Sequence, residues 1–230
     1  MLDTLVSLRA LGESCPCIDS LLFLLVSREG LSISFNYRAS LISTSSPIHH
    51  RIHQLLMLLG FRRSVPSHLR AILLSPGLPQ TLADLIQWAT HPKTRLSSCY
   101  LTFCSPASVL VIERDLASAT HQTSDDFLVC TNHNQDMEHL SQPELVQLLH
   151  KHGISGGAIE PIIADSVTRK ECIMRKRRLT RRNRRSLSEL KEWLEEEPVK
   201  NECTHFSCIM DPSAEGGGLV WVQRYLQIGQ

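Results

Sequence analysis

Short β-prone runs alternate along this chain with segments whose apolar residues recur at helical spacing. The pattern predicts strands at residues 31–38, 98–103, 109–114, 127–131, 204–211 and 218–226. It predicts helices at residues 49–61, 66–74, 81–89, 144–150 and 164–194. This order indicates an α+β domain in which antiparallel sheet packs against helices.

Local signals define some boundaries within this pattern. Ser186 and Glu189 form a capping box, so the last helical segment is predicted to break before Ser186 and start again. The turn-forming residues 212–217 join the last two strands into a hairpin. A length of 230 residues, 42% of them hydrophobic, is consistent with one globular domain.

A net charge of +1 gives no long-range reason to expect nucleic acid as a partner. It conceals a basic run, because eight of residues 175–185 are Lys or Arg. We interpret the run as a solvated helix face rather than a nuclear-localisation or nucleic-acid patch. The expectation is weak, salt-sensitive attraction to any polyanion and no specific nucleic-acid partner.

Cysteine and histidine positions argue against a metal site. The eight cysteines show no paired C-x-x-C spacing, and those at 99, 104, 130 and 208 stand in apolar runs typical of a core. His49 and His53 are four residues apart on a predicted helix, but no Glu stands between them as in H-E-x-x-H. His133 and His139 form a second pair without a recognisable third ligand. No metal and no other cofactor is predicted.

The first residues lack the basic region and small-residue cleavage site of a secretory signal. Residues 18–26 (IDSLLFLLV) are apolar but too few to span a bilayer, so a buried strand or helix is predicted there. The expectations are therefore no transmembrane segment, the cytoplasm as the default location, and at most peripheral contact with a membrane.

Four motifs occur in an order similar to that of acid ceramidases and N-acylethanolamine amidases. They are VLVIERD at 109–115, FLVCTN at 127–132, DSVTRKE at 165–171 and THFSCIMDP at 204–212. Residues 186–201 also resemble the helix and P-V linker that precede the penultimate strand of that family. The resemblance covers residues 30–230, which we interpret as one amino-terminal-nucleophile-hydrolase-like domain following an atypical segment, residues 1–29.

The resemblance implies an αββα sandwich that cleaves the amide bond of an N-acyl lipid, either N-acylsphingosine or N-acylethanolamine. In such hydrolases a cysteine exposed by self-cleavage attacks the carbonyl, and neighbouring donors stabilise the oxyanion. Asn132 matches the family asparagine whose amide donates to that oxyanion. Arg169 matches an arginine that orients the nucleophile or the carbonyl, although Thr168 or Lys170 could be the aligned position, because Asp165 does not directly precede Arg169.

The sequence also departs from the family. The C-T-S motif of the nucleophile belongs well upstream of strand 31–38, and neither Cys15 nor Cys17 is followed by Thr-Ser. The resemblance therefore implies a sandwich incomplete at the amino terminus, and we expect no amide hydrolysis by this chain. The alternatives are an acyltransferase of the penicillin-acylating kind and a non-catalytic lipid-binding protein.

Overall fold

The computed structural model describes residues 4–8, 23–26, 32–37, 47–59, 61, 65, 68, 81–91, 96, 98–105, 107–116, 118–131, 133–134, 137, 140–151, 159–180, 186–200, 206–211, 213 and 218–225. The strands are β1 (Thr4–Leu8), β2 (Phe23–Val26), β3 (Ser32–Tyr37), β4 (Cys99–Cys104), β5 (Val109–Arg114), β6 (Ala119–Ser124), β7 (Phe206–Asp211) and β8 (Gly218–Arg224). The helices are α1 (Pro47–Leu58), α2 (Leu82–Thr90), α3 (Gln142–Lys151), α4 (Ile159–Leu179) and α5 (Leu187–Glu195).

Five strands form an antiparallel sheet in the order β2-β3-β4-β5-β6. Short turns keep consecutive strands adjacent: the Ser105 N–H donates to the Ser108 carbonyl at 2.9 Å, and the Asp115 N–H donates to the Ser118 carbonyl at 2.8 Å. Strands β4 and β5 are buried on both faces, whereas β6 exposes most of its polar residues at the edge. The apolar sequence of β5 therefore reflects its central position.

Helix α2 covers one face of this sheet. The sheet residues under it are Ile33, Cys99, Leu101, Phe103, Leu110 and Ile112. Leu85 and Ala89 of α2 pack on them. The helix begins with a capping box, in which the Thr81 hydroxyl accepts from the Asp84 N–H and the Asp84 carboxylate accepts from the Thr81 N–H, each at 3.2 Å. The cap fixes where α2 starts above the sheet.

Three strands form the second antiparallel sheet, in the order β1-β7-β8. Helices α4 and α5 cover it through a cluster of buried residues: Cys172, Ile173, Leu190, Trp193, Leu194, Val199 and Ile209. The predicted capping box at Ser186 and Glu189 begins α5. Strands β1 and β2 come from the segment predicted to be atypical, and they pair with β7 and β3 respectively.

The faces turned away from the helices are also buried. In the five-stranded sheet they carry Tyr100, Cys104 and Val111, and in the three-stranded sheet Cys208 and Met210. Because strand residues alternate between faces, these side chains form the inner layers of the structure. The α+β class and the αββα arrangement predicted from the sequence are confirmed.

Most predicted elements are present, but one strand was placed wrongly. Residues 127–131 pair with no strand within the described residues, and the sixth strand is Ala119–Ser124 instead. The apolar side chains of Phe127 and Val129 pack against the helices over the smaller sheet, so their hydrophobicity reflects contact with helices rather than strand pairing. The predicted helix at 66–74 lies outside the described residues.

A polar cluster attaches the end of β8 to α5. The Tyr225 hydroxyl donates to the Glu195 carboxylate, and Ser207 Oγ lies 3.2 Å from the same hydroxyl oxygen. Lys200 Nζ donates to Glu195 at 3.0 Å and lies 4.4 Å from the centroid of the Tyr225 ring. Burial, followed by the bond to Glu195, raises the pKa of the Tyr225 hydroxyl from 10.0 to about 12.

We predict that Tyr225→Phe lowers the free energy of unfolding by about 1 kcal/mol at neutral pH, because the bond to Glu195 is lost. A raised folded-state pKa contributes stability that is present below the unfolded pKa and lost as pH rises through the folded pKa. The difference between wild type and variant should therefore disappear as pH rises from about 10 to about 12. Urea denaturation across that range measures it, and a constant difference would contradict the assignment.

Candidate functional site

The chain after β6 lies between the inner face of the larger sheet and α4. Asn134 Oδ1 accepts a hydrogen bond of 3.1 Å from the Tyr100 hydroxyl on β4. Phe127 and Val129, earlier in the same segment, pack against the cluster under α4 and α5. The segment therefore links the two layers of the sandwich.

A buried cluster of hydroxyl groups holds the His133 ring. Ser166 Oγ on α4 lies 2.9 Å from His133 Nδ1, and Thr131 Oγ1 lies 3.1 Å from the same nitrogen. Ser166 and His133 are both buried. Either a hydroxyl donates to a neutral Nδ1 or a protonated Nδ1 donates to a hydroxyl; both arrangements fix the orientation of the ring.

One turn further along α4, an ion pair joins Arg169 to Asp165. Arg169 Nε donates to Asp165 Oδ2 at 3.0 Å, and the arginine side chain is 8% exposed whereas the aspartate is 28% exposed. The i, i+4 spacing places both groups on one side of the helix. Ser166, Asp165 and Arg169 thus form a polar stretch between the two apolar clusters that α4 contacts.

A groove of about 500 Å³ runs along α4 beside this cluster. It is lined by His133, Val167, Thr168, Lys170, Glu171, Cys172, Met174, Arg175, Arg178 and Pro198. Three of these are cationic and one is a carboxylate, while Val167, Cys172, Met174 and Pro198 supply apolar surface. A concave site of this size accommodates one small ligand.

Helix geometry divides the predicted basic run between different environments. Arg175 and Arg178 line the groove and are exposed. Lys176 and Arg177 form ion pairs with Glu196 and Asp126 instead. The run is therefore not a uniform solvated face, and α4 ends at Leu179, so its last four arginines lie outside the described residues.

The structure positions the predicted site residues as follows. Asn132 lies outside the described residues, between Thr131 and His133; His133 contacts Ser166 on α4, and Thr131 contacts the His133 ring. Arg169 is buried in its pair with Asp165. Of the two alternatives to Arg169, Thr168 donates to the Ala164 carbonyl at 2.8 Å, and both Thr168 and Lys170 line the groove. We predict that Asn132 and Arg169 approach each other at the mouth of a cleft, because the family resemblance makes both act on one carbonyl.

The sequence did not indicate the pair of His133 and Ser166. From the sequence, His133 stands out only as one of two histidines without a recognisable third metal ligand. Ser166 lies 33 positions later in an unremarkable helical segment. No local spacing connects them, so only the packing of the loop on α4 shows that they meet.

Four of the five described cysteines are buried. Cys99, Cys104 and Cys208 are buried, and burial raises the pKa of the Cys208 thiol to about 12. Cys172 lines the groove but is only 4% exposed. Cys99, Cys104 and Cys208 are thus core residues, as the sequence predicted, whereas Cys130 is only half-buried.

The described residues contain neither a metal-binding cluster nor a membrane-spanning helix. Within the described ranges, no group of three or more His, Cys, Asp or Glu side chains is arranged to hold a metal ion. None of the helices that the structure describes combines the length and apolar character needed to cross a bilayer.

Comparison with known proteins gives a match at the level of structure. No protein-family model and no curated protein sequence matches the chain. A solved structure of a Caenorhabditis elegans N-acylethanolamine-hydrolyzing acid amidase ortholog matches with a TM-score of 0.55 and 17% sequence identity. The match covers 94% of this chain and 88% of that one. The chain shares the fold of that amidase.

This likeness agrees with the motif resemblance at the level of the fold. The motif order indicated the acid ceramidase and N-acylethanolamine amidase family, and a structural search that does not depend on those motifs finds an amidase of the same name. At 17% identity the agreement concerns the backbone arrangement. Residue roles therefore depend on the contacts of this chain's own side chains.

Proposed function

We propose that this chain is a ceramidase-like protein of the amidohydrolase type, which supplies the carbonyl-binding groups for the amide of an N-acyl lipid but is inactive as this chain because it has no identifiable nucleophilic cysteine. The observation that carries the proposal is the shared fold, which extends over 94% of the chain. The motif resemblance adds Asn132 and Arg169 as the donors that stabilise an oxyanion. His133, the residue after Asn132, contacts Ser166 on the helix that carries Arg169, which is consistent with Asn132 and Arg169 acting on one carbonyl.

The apolar surface of α1 supports a lipid substrate. Six apolar residues on or just after this helix are between 48% and 87% exposed: Ile48, Ile52, Leu55, Leu58, Leu59 and Phe61. Arg51 is exposed on the same helix, and Arg62 and Arg63 follow it in the sequence. An apolar helical face flanked by cations is typical of a helix lying on a membrane surface, where N-acyl lipids reside.

The environment of the thiols favours a second candidate, a lipid-binding protein without catalysis. The described cysteines lie within the chain, and the family mechanism requires a thiol whose own α-amino group acts as the base. A hydrolytic reaction would therefore need self-cleavage next to a cysteine such as Cys15 or Cys17, which lie outside the described residues, or a group from another molecule.

We predict that purified Met1–Gln230 binds N-palmitoylethanolamine and N-palmitoylsphingosine in vesicles and releases no palmitate at acidic or neutral pH. Binding should weaken about tenfold in Asn132→Ala, because a hydrogen bond to the amide carbonyl is lost. Binding isotherms and mass spectrometry of released palmitate measure the two quantities. Binding of the alkylamine analogue, which has no carbonyl, is the control and should not change in Asn132→Ala.

Four outcomes would change the proposal. Absence of binding to either lipid would overturn both candidate functions. Equal loss of amide and amine binding in Asn132→Ala would favour the non-catalytic lipid-binding protein. Turnover abolished by Cys15→Ala or Cys17→Ala would identify the nucleophile, and turnover insensitive to both would exclude a mechanism based on these thiols.

A further inference from the structure

The groove along α4 combines cationic and apolar groups in a way that the proposed amide chemistry does not use. Arg175 and Arg178 line it from successive turns of α4, and Lys170 lies further toward the amino end of the same helix. Glu171 is the only carboxylate among the described lining residues. An amide-bonded N-acyl lipid such as N-acylethanolamine carries no charge that would need these cations.

The neighbouring cations on α4, unlike the two arginines that line the groove, form ion pairs with other described residues. Lys176 and Arg177 are each bound to a carboxylate from another element, Glu196 and Asp126. Within the described residues, no carboxylate lies within ion-pair distance of Arg175 or Arg178. The charges of Arg175 and Arg178 at the groove are therefore not neutralised by ion pairs in the described part of the chain, whereas those of Lys176 and Arg177 are.

Apolar surface accompanies these cations inside the groove. Val167 and Met174 lie on the same side of α4, and Pro198 lies across from them after α5. The aliphatic stems of arginine and lysine add to such a surface while their charged ends remain in water. A volume of about 500 Å³ matches one alkyl chain rather than the two chains of a phospholipid.

We propose that this groove binds a single-chain fatty carboxylate, with its anionic head at Arg175 and Arg178 and its alkyl chain along Val167, Met174 and Pro198. Guanidinium groups bind carboxylates through charge-assisted hydrogen bonds, which are stronger than bonds between neutral groups. The site concerns binding and does not depend on amide hydrolysis by this chain. A fatty carboxylate is nevertheless the acid product that amide cleavage of an N-acyl lipid releases.

The test is titration of the full chain with monomeric oleate, and with oleyl alcohol as the uncharged analogue of equal chain length. We expect saturable binding of one oleate per chain and at least tenfold weaker binding of the alcohol. Arg175→Gln and Arg178→Gln should each weaken oleate binding about tenfold, and higher salt should weaken it as well. Both arginines are exposed, so both variants should fold, and circular dichroism checks this.

Two variants on the same helix serve as matched controls. Arg177→Gln removes the same charge from a residue that is paired with Asp126, so oleate binding should stay within about twofold of wild type. Glu171→Gln removes the carboxylate from the groove and should strengthen oleate binding.

Specific results would overturn the inference. Equal weakening by Arg177→Gln and Arg175→Gln would show that oleate is attracted by the basic run as a whole. Wild-type affinity for oleate in an Arg175→Gln/Arg178→Gln double variant, or equal affinity of the wild type for oleate and oleyl alcohol, would show that no carboxylate site exists. Failure of these titrations would leave the binding of N-acyl amides, tested separately, unaffected.

Discussion

Phe103→Ala is expected to lower the free energy of unfolding by about 3–5 kcal/mol. Phe103 is fully buried in the cluster between the larger sheet and α2. Phe103 lies on β4 and pairs with Leu110 of β5 and with Ile33 of β3, so rigid strands lie on both sides of the ring. Such surroundings relax little, and truncation therefore leaves most of the ring volume as a cavity.

The matched control is Phe61→Ala. Phe61 is 76% exposed just beyond α1, so its truncation should change the free energy of unfolding by no more than about 0.5 kcal/mol. Equilibrium urea denaturation measures both variants. A small effect of Phe103→Ala would mean that α2 does not cover this face, which would contradict the sandwich arrangement.

Hydrophobic periodicity predicted the buried strands β4 and β5 but neither the exposed edge strand β6 nor β1. The sequence of β5 predicts a strand because it is a run of mostly apolar, β-prone residues, and in the structure this strand is buried on both faces. Strand β6, by contrast, consists of Ala, Thr, His, Gln, Thr and Ser and exposes most of them at the sheet edge. An edge strand needs only one hydrogen-bonded neighbour and no apolar face, so its sequence carries little signal.

Periodicity also indicated that α1 is amphipathic, but it could not tell what its apolar side contacts. The predicted helix appears as Pro47–Leu58, yet its apolar residues Ile52 and Leu55 are exposed and His53 is buried. The usual expectation is that an apolar stripe faces the core. The exposure of the apolar stripe on α1 depends on how the whole chain folds, so only the structure shows it.

The charges around the groove could be predicted from the sequence only in part, because their ion-pair partners could not. The basic run was evident in the sequence, and the spacing of Arg175 and Arg178 places them on one side of a helix. Lys176 and Arg177 differ from them because they form ion pairs with Glu196 and Asp126, two carboxylates that are distant in the sequence. These partners are 20 and 51 positions away, and no local pattern predicts such pairs.

The structure gives part of a family-like motif a structural role. Residues 112–115 (IERD) end the VLVIERD motif, which is similar to a segment of the ceramidase and amidase family. Arg114 is 1% exposed on the α2 side of β5, and its Nη1 donates to the Ala89 carbonyl at 2.7 Å. Ala89 is in the last turn of α2, where carbonyls have no partner within the helix. Arg114 therefore attaches the end of α2 to the sheet.

Arg114→Ala is expected to lower the free energy of unfolding by about 3–5 kcal/mol. Burial lowers the pKa of the guanidinium, while the adjacent charge of Asp115 acts in the opposite direction. Asp115 is itself buried and accepts from the Ser98 hydroxyl at 2.8 Å. Removing Arg114 thus leaves a cavity, an unbonded helix-end carbonyl and a buried carboxylate without its neighbouring cation.

Arg114→Met separates volume from charge, because methionine refills much of the space without donating a hydrogen bond. We expect its loss to be about half that of Arg114→Ala, since a charge-assisted hydrogen bond contributes about 1.5–3 kcal/mol. Arg224→Met, at an exposed position on β8, is the control and should change the unfolding free energy by no more than about 0.5 kcal/mol. Urea denaturation of the three variants measures these effects. If Arg114→Met matched the wild type, neither the charge of Arg114 nor its hydrogen bond to Ala89 would contribute to stability, which would contradict the role assigned to it.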